Sequence, residues 1–338
     1  MKAIVHYKYG LPDVLQLVEI DKPVPTEDEV LVRVHASSVN PVEWYGMTGF
    51  PLARPSGGWL KPSDPRLGAD FAGTVEAVGA NVTDFHPGDE VFGGKHGAFS
   101  EYVCLSKAIA PKPTNISFEQ AASIPIAGLT ALQGLRDHGK LQPGQKVLIN
   151  GASGGVGTFA VQIAKAFGAE VTAVCSTENV EMVRSLGADH VIDYKKEDFT
   201  RSGQRYDLFF DIAGSRSWGE CKRILKPNAI FVLVGAQKGF PVIGPLGHII
   251  GILIGSRFSS QKVVFFMANI IRADLEVMKD LIEAGKLTPI VDRSYPLSET
   301  DGAMHYLGTG HAKAKIAISV VNERAAAVSV KTRDKLKV

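Results

Sequence analysis

Cysteine is scarce in this sequence, because the 338 residues include only Cys104, Cys175 and Cys221. Three cysteines are too few for the framework of disulfides that stabilises many small secreted domains. No two of them have the Cys-x-x-Cys spacing, so a structural zinc site made of four thiolates is excluded as well. The chain is long enough to be held together by buried hydrophobic cores instead.

An excess of either charge is also missing. The sequence has 37 Lys and Arg against 35 Asp and Glu, which gives a net charge of +2, whereas a nucleic-acid-binding domain shows a basic stripe. Hydrophobic residues make up 45% of the chain and charged residues 21%, the balance of a globular protein rather than of a disordered chain. We expect about two domains from the length and no nucleic-acid partner.

Long uncharged runs are rare, and only one is similar to a membrane segment. Gly239–Ser256 has no Lys, Arg, Asp or Glu over 18 residues, which is close to the shortest length that spans a bilayer. It also contains two prolines and five glycines, which favour an interrupted helix or a loop. We interpret it as a buried or channel-lining segment, with peripheral membrane contact as the alternative and no transmembrane segment.

The two ends of the chain carry few signals. The opening residues MKAIVHYKYG show neither an apolar signal core nor an Arg-rich transit segment, so a cytoplasmic location is expected. The residues after Val321 form a polar extension to which the sequence assigns no role.

The pattern of predicted elements changes along the chain. Residues 1 to about 110 contain short β-branched runs separated by Pro and Gly, which predict a mostly β region. From Lys146 onward apolar strands alternate with helices, the pattern of a parallel sheet covered on both faces. We expect the last of these strands at Lys262–Met267, followed by a return to helix and β–α–β elements from about Asp274.

Glycine is the residue in excess, and its most informative cluster lies in Val147-Leu-Ile-Asn-Gly-Ala-Ser-Gly-Gly-Val-Gly157. The cluster follows a predicted strand and opens a predicted helix, the context that distinguishes a dinucleotide-binding turn from a chance match. Gly154 lets the backbone approach a pyrophosphate, and Gly157 allows close helix–strand packing. A helix-capping turn without a ligand is the alternative. The predicted cofactor residues of this turn are Ala152, Ser153, Gly154, Gly155, Val156 and Gly157.

The choice of dinucleotide depends on the tip of the second strand of this region. An acidic residue there would bind the ribose of NAD, but the strand ends in Cys175-Ser176-Thr177. Ser176 and Thr177 offer hydroxyl donors to a 2′-phosphate, and Tyr194 follows the third strand near the same pocket. No arginine stands at the tip, and Asn179 occupies a place where a basic residue would strengthen the case. We therefore predict NADPH rather than NADH.

These motifs resemble the quinone oxidoreductase/zeta-crystallin signature of the medium-chain dehydrogenase/reductase superfamily. The resemblance extends over nearly the whole chain. It rests on Gly144-Gln145 through Leu148, Ala152-Ser-Gly-Gly155, Gly157, Gln162, Lys165, Ser38-Val-Asn-Pro41, Leu67-Gly-Ala-Asp-Phe-Ala-Gly73, Pro87-Gly-Asp-Glu-Val-Phe-Gly93, Gly97-Ala-Phe-Ser-Glu-Tyr102, Leu186-Gly-Ala-Asp189 and Ala284-Gly-Lys-Leu-Thr-Pro289.

The resemblance implies an α/β fold in which a Rossmann domain, a doubly wound parallel sheet, is inserted into a mostly-β GroES-like catalytic domain. The implied boundaries are 1–124 and 268–338 for the GroES-like domain and 125–267 for the Rossmann NADP-binding domain. NADPH and substrate are expected in the cleft between them. Many relatives dimerise by pairing edge strands of the cofactor domain, so we expect a homodimer with Lys262–Met267 as the edge.

The sequence departs from the zinc-dependent alcohol dehydrogenases of that superfamily at the metal ligands. Those enzymes carry a Cys near position 40 and a His–Glu pair near position 69, whereas this chain has Asn40 and Ala69-Asp70. Zinc assists alcohol oxidation as a Lewis acid. Hydride addition to a quinone, or to the β-carbon of an enone or enal, spreads charge onto an oxygen that a few hydrogen-bond donors stabilise. We therefore predict a zinc-independent enzyme with a conjugated acceptor and no metal site.

Two catalytic residues are predicted, Asn40 and Tyr45. Asn40 matches an asparagine that borders nicotinamide and substrate in zinc-free relatives, and a loop-turn role before Pro41 is the alternative. Tyr45 is a candidate donor to the developing oxyanion, and apolar packing is the alternative. Some relatives place a tyrosine acid where this chain has Pro51, which leaves water as a proton source. Asp70 is interpreted as a loop-capping carboxylate.

The remaining candidates line the expected cleft. Aromatic residues suited to planar substrates are Trp44, Phe50 and Trp59, with ordinary packing as the alternative. Lys315 matches a lysine of the terminal segment and is interpreted as structural. Backbone positions that border the nicotinamide in relatives are matched by Ile212, Gly214, Val234 and Gly235.

The function predicted from these features is NADPH-dependent reduction of quinones or α,β-unsaturated carbonyls. A dehydrogenase of saturated alcohols is one alternative, against which Asn40 and Ala69 weigh. A nucleotide-binding structural or interaction protein is the other, as crystallin relatives illustrate.

Overall fold

The computed structural model describes residues 1–50, 58–235 and 244–321. These ranges form fifteen strands: β1 (Lys2–Val5), β2 (Gln16–Glu19), β3 (Val30–Val39), β4 (Asp70–Val78), β5 (Glu90–Gly94), β6 (Tyr102–Leu105), β7 (Ile109–Pro111), β8 (Lys146–Asn150), β9 (Glu170–Cys175), β10 (His190–Asp193), β11 (Tyr206–Asp211), β12 (Leu225–Leu233), β13 (Lys262–Phe265), β14 (Val291–Pro296) and β15 (Lys315–Ser319). The same ranges form nine α-helices: α1 (Pro41–Thr48), α2 (Phe118–Ala122), α3 (Pro125–Gln133), α4 (Gly155–Ala166), α5 (Val180–Ser185), α6 (Trp218–Arg223), α7 (Gly244–Ser256), α8 (Arg272–Glu283) and α9 (Thr300–Gly308).

The chain divides into two compact units. The first contains Met1–Pro125, Ile270–Lys279 and the described residues from Val291 onward, and the second contains Ile126–Asn269 and Asp280–Ile290. The second unit is therefore an insertion in the sequence of the first.

The first unit is built on a seven-stranded sheet with β3 near its centre. The strand order is β14-β15-β3-β4-β5-β7, and β6 pairs with the first half of β3. The register of β3 sets Ser38 opposite Asp70 of β4 and Val39 opposite Ile316 of β15. This pairing places the end of β3 beside the first residue of β4 and the first residue of β15. The buried core beneath the sheet includes Val32, Val34, Phe71, Val75 and Val91.

The second unit is built on six parallel strands in the order β10-β9-β8-β11-β12-β13. The chain runs outward from β8 to β10 and then returns to β11 on the other side of β8, so its winding direction reverses between β8 and β11. Val147, Leu148 and Ile149 of β8 are fully buried, as expected for a parallel strand covered on both faces. The predicted fold class, a mostly-β GroES-like domain with an inserted Rossmann sheet, is confirmed.

The edge of the parallel sheet at β13 carries exposed apolar side chains. The predicted strand Lys262–Met267 ends at Phe265, and β13 pairs with β12 alone among the described strands. Phe265 and Met267 are exposed there, as are Ile254 and Phe258 at the end of α7. This surface is left uncovered by the described part of the chain.

The uncharged stretch Gly239–Ser256 is described only from Gly244, where α7 begins. The expectation of an interrupted helix or loop is wrong for Gly244–Ser256, which forms one continuous helix. Pro245 lies in the first turn of α7, where its missing N–H interrupts no helical hydrogen bond. Residues 239–243 and 322–338 lie outside the described residues. No helix of the described ranges has the length and apolar character that crossing a membrane requires.

Candidate active site

The glycine-rich turn joins β8 to α4 at the point where the winding of the parallel sheet reverses. Gly151 adopts a left-handed backbone with φ of +86°, a conformation that favours glycine. Ala152 is fully buried, whereas Ser153, Gly154, Gly155 and Val156 are only partly covered. Ligands of open α/β sheets bind at such a reversal, beyond the carboxyl ends of the strands. The predicted turn therefore lies at the edge where sheets of this kind bind their ligands, and its contact with a pyrophosphate stays a prediction.

Gly154 and Gly157 serve different physical needs. A Cβ atom at Gly157 would lie 2.2 Å from the Gly151 carbonyl oxygen, so only glycine lets α4 approach the turn this closely. A Cβ atom at Gly154 would meet only that same oxygen, at 3.5 Å, an ordinary contact. The protein itself does not require glycine at position 154. The open space beside Gly154 fits the close approach of a pyrophosphate.

Asp211 ties together the carboxyl ends of the strands at this point. Its Oδ1 accepts hydrogen bonds from Asn150 Nδ2 at 2.8 Å and from the Gly214 N–H at 2.9 Å. Complete burial raises the pKa of Asp211 to about 6, although these hydrogen bonds oppose the shift. Asp211 thereby fixes the turn at Ile212–Gly214. A Cβ atom at Gly235 would lie 2.0 Å from the Ile212 carbonyl oxygen, so Val234-Gly235 packs directly against that turn.

The predicted ribose residues lie together at the ends of β9 and β10. The Ser176 hydroxyl accepts a hydrogen bond from Asn179 Nδ2 at 3.0 Å, and the same amide group donates to Ser153 Oγ at 3.2 Å. Thr177 Oγ1 donates to Asp193 Oδ2 at 2.6 Å. Asn179 thus links the glycine-rich turn to the tip of β9. Its buried Oδ1 has no hydrogen-bond partner among the described residues, which leaves an acceptor for a ligand.

Tyr194 is 52% exposed and directly follows β10. Its N–H donates to the Cys175 carbonyl oxygen at 3.1 Å, so the turn after β10 is fixed against the tip of β9. The Tyr194 ring is therefore available beside the expected adenosine position. Two lysines follow it, Lys195 and Lys196. Neither was predicted as a site residue, although their position directly after Tyr194 was a usable signal.

The first unit contains a buried polar cluster formed by Ser38, Asn40, Glu43, Asp70 and Lys315, all of which are at most 3% exposed. Asp70 Oδ2 accepts hydrogen bonds from Ser38 Oγ at 2.8 Å and from Asn40 Nδ2 at 2.9 Å. Lys315 Nζ donates to Asn40 Oδ1 and lies 3.5 Å from Asp70 Oδ2. The strand register described above is what brings these side chains together.

This arrangement corrects the interpretation of Asp70 and bears on that of Asn40. Asp70 is the first residue of β4 and the centre of the cluster, not the cap of a loop. The Asn40 amide donates to Asp70 and to the Ser38 carbonyl oxygen at 3.3 Å, and its oxygen accepts from Lys315. The geometry therefore favours a positioning role for Asn40, and its donation to substrate stays a prediction.

Glu43 is the member of this cluster that lies in the first turn of α1. Its Oε2 accepts a hydrogen bond from the Asn40 N–H at 2.7 Å, while the buried Oε1 has no partner among the described residues. Burial, and secondly the negative charge of Asp70, raise the pKa of Glu43 to about 8. Burial also lowers the pKa of Lys315. At neutral pH Glu43 is therefore mostly protonated and adds little negative charge to the cluster.

The predicted aromatic residues do not form one lining. The Tyr45 and Phe50 rings are 5.5 Å apart, and burial raises the pKa of Tyr45. Trp44 instead packs into the core beside α9, where a Cβ atom at Gly308 would lie 2.5 Å from its ring. Trp59 is 69% exposed. Tyr45 and Phe50 are thus the pair that the structure brings together.

The described residues contain no group of three or more His, Cys, Asp or Glu side chains arranged to hold a metal ion.

The two units, with a dinucleotide turn in the second and a GroES-like sheet in the first, define a medium-chain dehydrogenase/reductase. Residues 26–114 match the family described as the alcohol dehydrogenase GroES-like domain. Residues 186–318 match the family described as zinc-binding dehydrogenase.

Curated relatives match over almost the whole chain. The bovine NAD(P)H oxidoreductase RTN4IP1, mitochondrial, is 35% identical over 95% of this chain and 89% of its own length. The chloroplastic quinone-oxidoreductase QR1 of Triphysaria versicolor is 34% identical over 94% and 98%. The chloroplastic NADPH-dependent alkenal/one oxidoreductase of Arabidopsis thaliana is 35% identical over 94% and 79%.

Solved structures agree with these relatives. The quinone oxidoreductase of Coxiella burnetii superposes with a TM-score of 0.83 and 32% identity over 95% of this chain and 99% of its own. The Escherichia coli quinone oxidoreductase in complex with NADPH superposes with a TM-score of 0.80 and 28% identity over 95% and 100%. The chain therefore belongs to the zinc-free quinone oxidoreductase branch of the medium-chain dehydrogenase/reductase superfamily.

The two glycines of the turn give a matched pair of variants. Gly157→Ala should destabilise the protein by about 3 kcal/mol, because the added methyl group meets backbone atoms that cannot move aside. Gly154→Ala should leave stability within about 0.5 kcal/mol but abolish measurable dinucleotide binding, because the methyl group fills space that the phosphates need. Chemical unfolding and calorimetric titration with NADPH measure both effects. Undiminished NADPH affinity in Gly154→Ala would show that the phosphates bind elsewhere.

The buried carboxyl group of Glu43 should make stability depend on pH. Its pKa in the folded protein, about 8, lies above its ordinary value of 4.5, so the folded state holds a proton that the unfolded state releases. Stability from this group is therefore lost as pH rises from about 4.5 to about 8. Glu43→Gln should remove this pH dependence. The free energy of unfolding of the variant minus that of wild type should therefore rise by more than about 1.4 kcal/mol between pH 5 and pH 8.

Urea unfolding of both proteins across this pH range tests the prediction. Glu220→Gln is the control, because Glu220 accepts the same kind of hydrogen bond, from the Ser217 N–H at 2.9 Å, but hydrogen bonding lowers its pKa. The control should lose stability at pH 5 and at pH 8 alike. A parallel pH dependence in wild type and Glu43→Gln would contradict the assignment.

Proposed function

We propose that this protein reduces quinones or α,β-unsaturated carbonyl compounds with NADPH and without a catalytic zinc ion. The observation that carries the proposal is the buried cluster around Asp70. Asn40 and Asp70, which stand at the metal-ligand positions of zinc-dependent relatives, are bonded to each other and to Lys315. Lys315 Nζ thus lies 3.5 Å from Asp70 Oδ2, and the Asn40 and Asp70 side chains are both occupied in contacts within the protein.

The residues of the second unit fit a dinucleotide. The open space at Gly154 and the N–H groups that begin α4 suit a pyrophosphate. Ser176 and Tyr194 follow β9 and β10, where we expect the adenosine. The Asp211 network fixes the backbone of Ile212, Gly214 and Gly235, which we expect to border the nicotinamide. NADPH, when bound, supplies the hydride. The names of an NADPH-dependent alkenal/one reductase and of an NADPH complex among the similar proteins support this choice of cofactor.

Tyr45 is the proposed donor to the oxygen on which negative charge develops. It is half-buried against Phe50, and burial raises its pKa, so the phenol keeps its proton at neutral pH. A donor prepositioned at a developing oxyanion contributes to catalysis without reorganisation during the reaction. Asn40 acts on the same helix, because its bonds to Asp70 and Lys315 fix the start of α1.

Steady-state assays with a panel of acceptors test the function. Purified protein should consume NADPH with quinones and 2-alkenals, prefer NADPH to NADH, and leave simple ketones and saturated alcohols unchanged. Tyr45→Phe should lower kcat by about tenfold or more with little change in KM, because the lost hydrogen bond matters mainly in the transition state. Tyr7→Phe is the control, since Tyr7 is 57% exposed on the same unit.

The same panel distinguishes the alternatives. Turnover confined to saturated alcohols and dependent on zinc would identify an alcohol dehydrogenase. Tight NADPH binding without turnover of any acceptor would identify a nucleotide-binding structural or interaction protein. Either result would overturn the proposal.

We also propose a homodimer that pairs two copies of β13, because that strand has a free edge and Phe265 and Met267 beside it are exposed. Phe265→Asp should convert the dimer into a monomer in light-scattering measurements, because a carboxylate would be buried between the copies. Leu60→Asp, at a 94% exposed position of the first unit, should leave the dimer intact. A monomeric wild-type protein would contradict the proposal.

Peripheral membrane contact through the same apolar surface is the competing proposal. Binding of the wild-type monomer to vesicles would favour it. A cytoplasmic location stays a prediction, which fractionation of the producing cells would test, since several relatives are named as chloroplastic or mitochondrial.

A further inference from the structure

The ends of β9 and β10 carry four charged side chains around Ser176. Lys195 Nζ lies 2.5 Å from Glu178 Oε1, and Lys196 Nζ lies 3.5 Å from Asp193 Oδ2. The Ser176 hydroxyl is hydrogen-bonded to the Glu178 carboxylate. The two positive and two negative charges cancel in the isolated protein.

NADH and NADPH differ only in the 2′-phosphate on the adenosine ribose, and this part of the protein is where that ribose is expected. In a sheet of this topology the adenosine ribose lies at the carboxyl end of the second strand, which is β9 here. The 2′-phosphate of NADPH must therefore come close to Ser176, and a doubly charged phosphate calls for a cation. The tip of β9 supplies none, and Asn179 is occupied in bridging Ser153 and Ser176.

Two cations of the described residues follow the neighbouring strand β10. The hydrogen bond from the Tyr194 N–H to the Cys175 carbonyl oxygen, 3.1 Å long, fixes the turn after β10 against the tip of β9. Lys195 and Lys196 follow directly. The sequence alone does not show this, because sixteen residues and α5 separate Glu178 from Lys195 along the chain.

The two lysines differ in the carboxylate that each one contacts. Lys196 pairs with Asp193, which is buried and also accepts hydrogen bonds from Thr177 Oγ1 and from the Lys195 N–H. Lys195 pairs with Glu178, which is exposed. Asp193 is therefore fixed in place, whereas the Glu178 side chain is free to move away.

We propose that Lys195 is the side chain that recognises the 2′-phosphate of NADPH, and that Glu178 is its resident counter-ion, which the phosphate displaces from both Lys195 and Ser176. The proposal rests on the proposed function only in taking NADPH as the cofactor. Phosphate, with two negative charges and three acceptor oxygens, replaces a single carboxylate.

The energetics favour this exchange. An exposed ion pair such as Lys195–Glu178 contributes little to stability, so its loss costs little. The hydrogen bond from Lys195, and secondly that from its own backbone, lowers the pKa of Glu178, so Glu178 is ionised at neutral pH and competes with the phosphate. NADH, which has no 2′-phosphate, leaves the ion pair intact.

Calorimetric titration of the full chain with 2′,5′-ADP and with 5′-AMP tests the proposal without any turnover. Lys195→Ala should weaken 2′,5′-ADP binding by about tenfold and change 5′-AMP binding by less than about twofold. Glu178→Gln should act in the opposite direction and tighten 2′,5′-ADP binding, because the competing charge is gone. Lys195→Arg should retain the preference, which separates loss of charge from misfolding.

Arg184→Ala is the matched control. It breaks the exposed ion pair of Arg184 with Glu181 in α5 and leaves the four charged side chains around Ser176 unchanged. It should bind both nucleotides as wild type does. Equal loss for both nucleotides in Lys195→Ala, or a loss of 2′,5′-ADP binding caused by Lys196→Ala and not by Lys195→Ala, would overturn the proposal. Wild-type protein that prefers 2′,5′-ADP but reduces no acceptor would contradict the proposed function and leave this inference standing.

Discussion

Direct packing of backbone against backbone at the carboxyl edge of the parallel sheet is the constraint on which the second unit depends. Gly157 packs against the Gly151 carbonyl oxygen, and Gly235 packs against the Ile212 carbonyl oxygen. Both contacts are too close for a Cβ atom at either glycine. Asp211 joins the two places through Asn150 and Gly214. Because these contacts hold the strand ends, the turn beside them keeps an open, N–H-lined space for phosphates instead of collapsing onto the sheet.

The first unit depends on a different interaction, because its β core contains buried ionisable side chains. Removing a lone carboxylate from water is costly unless a cation and hydrogen bonds compensate for the loss. Asp70 meets that requirement with Lys315, Ser38 and Asn40, and the neighbouring Glu43 keeps its proton. The cluster joins β3, β4, β15 and the start of α1, the helix that carries Tyr45. We infer that it fixes that segment during catalysis.

Local patterns were sufficient to predict the second unit, because each strand, turn and helix in it is formed by consecutive residues. The turn at Gly151–Gly157 and the edge strand β13 were both found in this way. The cluster of Asn40, Asp70 and Lys315 was not predicted, since it is created by the pairing of β3 with β4 and with the distant strand β15. The pairing of β9 with β10 likewise brings Lys195 close to the tip of β9, although the position of Lys195 directly after Tyr194 was a usable signal. The interpretation of Gly244–Ser256 failed because Pro245 lies in the first helical turn, where proline is compatible with a helix.

The central claim is that hydride passes to a conjugated acceptor, which for an enal means its β-carbon, and it is tested most directly by following that hydride. NADPH labelled with deuterium at the transferring position of the nicotinamide should be incubated with the protein and a 2-alkenal, and the product analysed by mass spectrometry and NMR. We predict that the product is a saturated aldehyde that carries deuterium at its β-carbon. An allylic alcohol with deuterium at the former carbonyl carbon would contradict it.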